Sequence, residues 1–156
     1  MTSYFLKLDG IPGESTDSKH KDEIELVSFA WGVTDAAAPI GSGGGAGRAK
    51  FQDFHFTMLV NKASPQLFLA TASGKHIKEG NLAVRKAGKT QVEYLKIKFT
   101  DVLVTSFEEM AAAEEPQEAI GFSFGKIAIE YTPQNAKGAP GTVVKAGWDL
   151  SRNVKI

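Results

Sequence analysis

Apolar residues recur at every second position over most of the chain, which is the spacing of strands with one buried face. Tyr4, Leu6 and Leu8 share a face near the N-terminus. Val27, Phe29, Trp31 and Val33 share another, opposite the small residues Ser28, Ala30 and Gly32. The large face is expected to meet the core. Ile24 and Leu26 fall in the other phase, so the strand from Glu23 to Val33 is expected to twist between environments. Phe54, Phe56, Met58 and Val60 alternate with Asp53, His55 and Thr57 in a strand expected over 48–60. Leu82 and Val84 mark a strand from Asn81 to Lys86. Ala87-Gly88-Lys89-Thr90 then reads as a hairpin turn into Leu95, Ile97 and Phe99. Ile120, Phe122 and Phe124 are in phase, whereas Ile127, Ile129 and Tyr131 are one residue off. That slip predicts a β-bulge near Gly125-Lys126. A last strand is expected from Thr142 to Leu150.

One segment breaks the alternation. Ser64 to His76 reads as a capped helix, with Ser64 as N-cap, Pro65 in the first turn and Gly74 as the left-handed terminator. Lys75 and His76 would place donors beside the last carbonyls. A helix this short is unstable alone in water and must pack on something. The elements together predict a mainly β fold of about seven or eight antiparallel strands, a compact antiparallel β-barrel or a tight sandwich, with one short flanking α-helix at about 65–73. A single domain over residues 1–156 is expected.

Two loops stand out. Thr34 to Gly47 carries five glycines, Gly41, Gly43, Gly44, Gly45 and Gly47. Long internal connections of this kind are usually either functional or disordered. Glu108 to Glu118 is acidic and is expected to be a solvated loop, since Pro116 and the missing apolar stripe argue against a helix.

Composition narrows the function. The chain has 18 basic and 18 acidic residues and a formal net charge of zero, so nucleic acid is not the expected partner. It has no Cys, which excludes disulfides and thiolate metal sites. No apolar run approaches the ~18 residues of a membrane span, and no membrane partner is expected. Met1 to Lys7 lacks the basic and apolar regions of a secretory signal.

Chemistry is sparse. Gly41, Gly43 and Ala46 fit a loose dinucleotide fingerprint, but Arg48 onward reads as strand, so no helix N-terminus would face a phosphate. His20, His55 and His76 are too separated for a metal site by spacing. His20 is expected to be solvated and His55 to lie on the wetter side of its strand. No motif of nucleophilic catalysis is present. Catalytic residues, metal ligands and cofactors are therefore not expected. Trp31 and Trp148 are read as core rather than as stacking platforms.

Several segments resemble, in this order, the haemolysin-coregulated protein (Hcp) family. They are Gly13-Glu14-Ser15, Ser64-Pro65 with Leu67, Ser73-Gly74-Lys75-His76, Arg85-Lys86-Ala87-Gly88, Gln91-Val92-Glu93-Tyr94-Leu95 and Gly147-Trp148-Asp149. Gly43-Gly44-Gly45-Ala46-Gly47, followed by Phe54 and Phe56 in a strand, also matches. The resemblance implies the tube protein of bacterial type VI secretion: a β-barrel forming homohexameric rings that stack into a tube. Its partners would be further copies of itself, a spike protein at the tip, a sheath and secreted effectors in the lumen. The protein would be cytoplasmic and then leave through the machine without a signal peptide. Ser28 and Ala30 are the candidate lumen-facing residues. Phe29-Ala30-Trp31-Gly32 departs from the family's Trp-Ser-Trp-Gly by lacking a hydroxyl at Ala30. Ile40, Gly41, Gly43, Gly44, Gly45 and Gly47 are the candidate ring-stacking loop. The competing expectation from the residues alone is a monomeric barrel that binds a small ligand.

Overall fold

A computed structural model describes residues 2–35, 48–87, 92–111 and 114–156. Among them, in chain order, are β1 (Thr2–Leu8), β2 (Ile24–Leu26), β3 (Ser28–Ala30), β4 (Val33–Asp35), β5 (Ala49–Phe51) and β6 (Phe54–Leu59). There follow α1 (Ser64–Ser73), β7 (His76–Lys86), β8 (Glu93–Met110), β9 (Gln117–Ser123), β10 (Lys126–Tyr131), β11 (Val144–Asp149) and β12 (Val154–Lys155). The protein is mainly β with one short helix. All strand pairs are antiparallel.

The 18-residue strand β8 is the spine. Its first half pairs with β10 and its second half with β9. The changeover falls at Asp101, whose φ of 56° bends the strand. There the Gly125 N–H donates to the Thr100 carbonyl at 2.8 Å and, more weakly, to the Asp101 carbonyl at 3.2 Å. A Cβ on Gly125 would lie 3.2 Å from Asp101 Cβ, so the small residue suits the close approach. The phase slip expected near Gly125-Lys126 is thus where β9 ends and β10 begins with a new partner.

The expected barrel is corrected. The ladder of ten strands is not closed: β2 pairs with β1, and β3 pairs with β6. Val27 separates the two pairings, is 49% exposed, and donates its N–H to Thr57 O at 2.8 Å. The reason is packing. Ile24 and Leu26 are buried, and Phe29 reaches the core against Tyr4 and Phe54. Only a one-residue slip at Val27 lets both halves face inward. Val27 therefore does not join the core face with Phe29 and Trp31, as its spacing suggested. The short strands produced by such breaks also raise the count to twelve among the described residues.

The interior is filled by aromatic rings. Phe54 lies 4.9 Å from both Phe99 and Phe122, and Phe99 lies 5.0 Å from Phe122 and from Phe124. Leu6, Met58, Leu82, Ile97 and Ile120 complete the packing. Fully burying side chains of this size stabilises by about 1.5–3 kcal/mol each.

Helix α1 packs on β8 through Leu67 and Ala70, which are buried. Ala63, not Ser64, is its N-cap residue, and it offers no side-chain cap. Asn61 Oδ1 instead accepts the Ala63 N–H at 2.8 Å, closing the turn before the helix. Gly74 (φ 66°) ends it, and its N–H donates to the Ala70 carbonyl. His76 is an exposed first residue of β7 rather than a helix-end residue.

Candidate functional site

The outward face of β3, β6, β9 and the end of β8 carries the predicted lumen residues. Ser28 and Ala30 are exposed on β3. Ser28 stands opposite Thr57, and their hydroxyls share a hydrogen bond of 2.6 Å. Ala30 stands opposite His55, which is itself opposite Gly121. A Cβ on Gly121 would lie 2.5 Å from Ser106 Oγ and 2.8 Å from His55 Nδ1. Glycine there lets these two polar side chains lie flat on the sheet. Beside them Thr105 Oγ1 donates to Asp53 Oδ2 at 2.6 Å. The result is a shallow surface of small and hydroxyl-bearing side chains. Alternation explains it: Phe29, Phe54, Phe56, Ile120 and Phe122 on the same strands take the inward positions.

A second surface is apolar. Trp31, Val33, Phe51, Ile129, Ala146 and Trp148 line an open groove of about 320 Å³ between the β4–β5 hairpin and the β10–β11 pair. Both tryptophans are half-buried: they pack on the core edge and also line this groove, a wetter position than core alone. Helix α1 adds Phe68 and Leu69, which are 56% and 62% exposed. Its apolar surface is therefore only partly covered by its own chain.

A third cluster pins residues 11–23 across β1 and β7. Arg85 donates to both carboxylate oxygens of Asp17, at 3.0 and 2.5 Å, and its guanidinium lies 4.9 Å from the Phe5 ring centre. The bonds from Arg85, and then from the Lys19 N–H, hold the Asp17 carboxyl well below the usual carboxylate range. Asp17 in turn raises the Arg85 guanidinium further. His20 is buried, stacks 4.4 Å from Phe5, and presents its two ring nitrogens to Glu23 and Glu93. It is not the solvated residue that its charged neighbours suggested. At the far end of the sheet, the Arg152 N–H and the Ser151 hydroxyl hold Asp149 below its ordinary value.

The acidic stretch is also corrected. Glu108 to Met110 belong to β8, and Gln117 and Glu118 to β9. Glu118 is fully buried and accepts a hydrogen bond from Ser64 Oγ at 2.5 Å. Its signal was present in the alternation, since Glu118 continues the inward phase of Ile120 and Phe122.

Ile40, Gly41, Gly43, Gly44, Gly45 and Gly47 lie outside the described residues. The strands flanking that loop are β4 and β5, so a strand, not a helix, follows the glycines. Among the described residues, no cluster of His, Asp and Glu could hold a metal ion. Among them too, no helix is long and apolar enough to cross a membrane.

These features define a β protein whose distinctive surfaces are broad and shallow. Residues 5–131 match the family described as "Type VI secretion system effector, Hcp". Protein hcp1 of Pseudomonas aeruginosa is 38% identical over 97% of this chain and 96% of its own length. A solved structure described as a type six secretion system protein superposes with a TM-score of 0.92 at 30% identity, covering all of both chains. Hcp1 from Salmonella typhimurium gives a TM-score of 0.83 at 35% identity over 99% of each chain. The chain belongs to the Hcp family of type VI secretion. That family comprises structural, secreted tube proteins and not enzymes.

Proposed function

We propose that this chain is a tube subunit: copies close into homohexameric rings, rings stack, and secreted effectors travel in the lumen. The whole chain, 1–156, acts as one domain. Ser28 and Ala30 face the lumen. Ile40, Gly41, Gly43, Gly44, Gly45 and Gly47 contact the next ring. A spike protein caps the tube and a sheath surrounds it. The protein is made in the cytoplasm and leaves through the machine.

The observation that carries this reading is the exposed small-residue face around Ser28, Ala30, Thr57 and Gly121. A conduit for varied cargo needs a wall of short side chains. The apolar groove at Trp31 and Trp148 and the exposed Phe68 and Leu69 supply the area that subunit contacts would cover. A lone ligand-binding barrel finds less support, because phenylalanines fill the interior.

Negative-stain imaging and light scattering of the purified protein test the reading. Rings are expected; a strict monomer at high concentration would overturn it. Ala30→Arg sharpens the lumen assignment. It would place like charges at short range around a narrow pore, where they repel and also change what the wall can bind. Rings should survive and effector retention should fail. Normal retention would refute the placement of Ala30.

A further inference from the structure

Glu118 lies on the inward face of β9 beneath the first turn of α1. One oxygen, Oε1, accepts from Ser64 Oγ. The other, Oε2, is buried and has no hydrogen-bond partner among the described residues. The residue directly opposite on β8 is Glu109. On its other side β6 presents Met58, an uncharged neighbour. Asn61 directs its amide to Met58 Sδ and to the Leu59 carbonyl. The first turn of α1 contributes no acidic side chain. Lys62 is exposed, and its backbone N–H faces the Glu14 carboxylate. Glu114 and Glu115, further along the turn, are exposed. Among the charged side chains of the described residues, Glu109 is the one that bears on Glu118.

Two anions cannot sit comfortably here. The buried Glu118 carboxylate has lost water at Oε2, and the exposed Glu109, its register partner on β8, adds a second negative charge at the rim of that site. One proton resolves both problems, because a carboxylic acid can donate to a carboxylate. We propose that Glu118 and Glu109 hold one shared proton under the first turn of α1, and that its release unseats the helix. Burial, opposed by the Ser64 bond and reinforced by Glu109, pushes the Glu118 carboxyl upward. A glutamate raised in the folded state keeps a proton that the unfolded chain has already lost. Stability therefore falls as pH rises from the unfolded glutamate value through the folded one, and is level above it. The helix also carries Phe68 and Leu69, so release of the proton weakens subunit contact. That last step rests on the ring reading given above.

Dilute protein, held below the concentration at which it assembles, isolates the proton lock. Urea midpoints are measured from about pH 5 to about pH 9 for the wild type, Glu118→Gln and Glu109→Gln. The wild-type midpoint should fall across this range, and each variant should lose at least half of that fall. Equal slopes in all three proteins overturn the lock. Infrared spectroscopy of the folded wild type provides a readout that survives a misfolded variant. A protonated carboxyl band should persist above the pH at which ordinary glutamates have ionised and disappear on further alkaline titration; its loss together with the ordinary glutamates overturns the lock. Sedimentation at assembling concentration then tests the coupling. Fewer rings at the alkaline end support it, and a pH-independent ring fraction refutes it. Rings absent at every pH would overturn the tube reading while leaving the urea and infrared results to decide the lock.

Discussion

The segment 11–23 and the first turn of α1 both bring charged side chains into the apolar body, but with opposite pairing. On the 11–23 side, Arg85 meets Asp17, and His20 lies between Glu23 and Glu93, with the Phe5 ring against both the Arg85 guanidinium and the His20 imidazole. Charges and hydrogen-bond donors find complementary groups there, most completely at the two-pronged Arg85–Asp17 pair. Beneath α1, Glu118 meets Ser64 and a second carboxylate, and one oxygen goes without a donor. That joint depends on a proton. Complementary charge suits a segment that must always be held; like charge suits one whose hold is conditional.

The largest expected effect comes from breaking the complementary joint. Arg85→Ala removes the two bonds to Asp17 and the planar group over Phe5 together. A Tm drop of roughly 5–10 °C is expected for a chain of this size. Calorimetry at neutral pH checks it. A drop no greater than that of an exposed lysine variant would mean that the pair contributes nothing to holding 11–23.

A smaller loss is expected at the other joint. Ser64→Ala removes the donor to Glu118 Oε1 and the acceptor for the Asn61 N–H, which lies 3.0 Å from Ser64 Oγ. About 1–3 kcal/mol should be lost, the cost of leaving a buried polar group unsatisfied. Urea unfolding checks this. Were the variant as stable as the wild type, Ser64 would be a packing residue and not the anchor of the carboxyl pair.

The two joints also differ in the sign of their pH dependence. Asp17 is depressed in the folded state, so its contribution is present above the unfolded aspartate value and is lost as pH falls through the folded one. Asp17→Asn should flatten the acid side of the stability curve and leave the alkaline side alone. Stability measured from acid to alkaline pH compares this with Glu118→Gln, which should act on the opposite side. A common effect of both variants on one side would erase the distinction.

Much of this was legible in the alternation of residues. Ile120, Phe122 and Phe124 followed by Ile127 and Ile129 marked the break at Gly125, because a period of two cannot slip without a structural event. Gly74 marked the end of α1 because few other residues adopt its backbone conformation cheaply. Less legible were features set by distant partners. Ser64 suits an N-cap and a buried donor equally; only Glu118, across the fold, decides between them. His20 sits among charges in the chain, but its stacking partner Phe5 lies on β1. The open ladder at Val27 follows from which strand each neighbour pairs with, and no local spacing encodes that. For the lumen face, Ser28 and Ala30 were legible as small, exposed positions; Gly121 was not, because its need for a missing side chain arises from His55 and Ser106 on other strands.

The smallest effect sharpens the comparison from outside it. Lys98 Nζ lies 3.3 Å from Glu79 Oε1 across the β7–β8 pair, with 52% and 33% of the two side chains exposed. Its charges are as complementary as those of Arg85 and Asp17, but water reaches both. Solvent screening and the entropy of two long side chains should leave Lys98→Ala within about 0.5 kcal/mol of the wild type. Added salt should reduce even that difference. Urea unfolding at low and high salt checks this. A loss comparable to that of Arg85→Ala would show that pairing alone stabilises the sheet. A negligible loss would assign the strength of the Arg85 joint to its burial, its two-pronged geometry and its contact with Phe5.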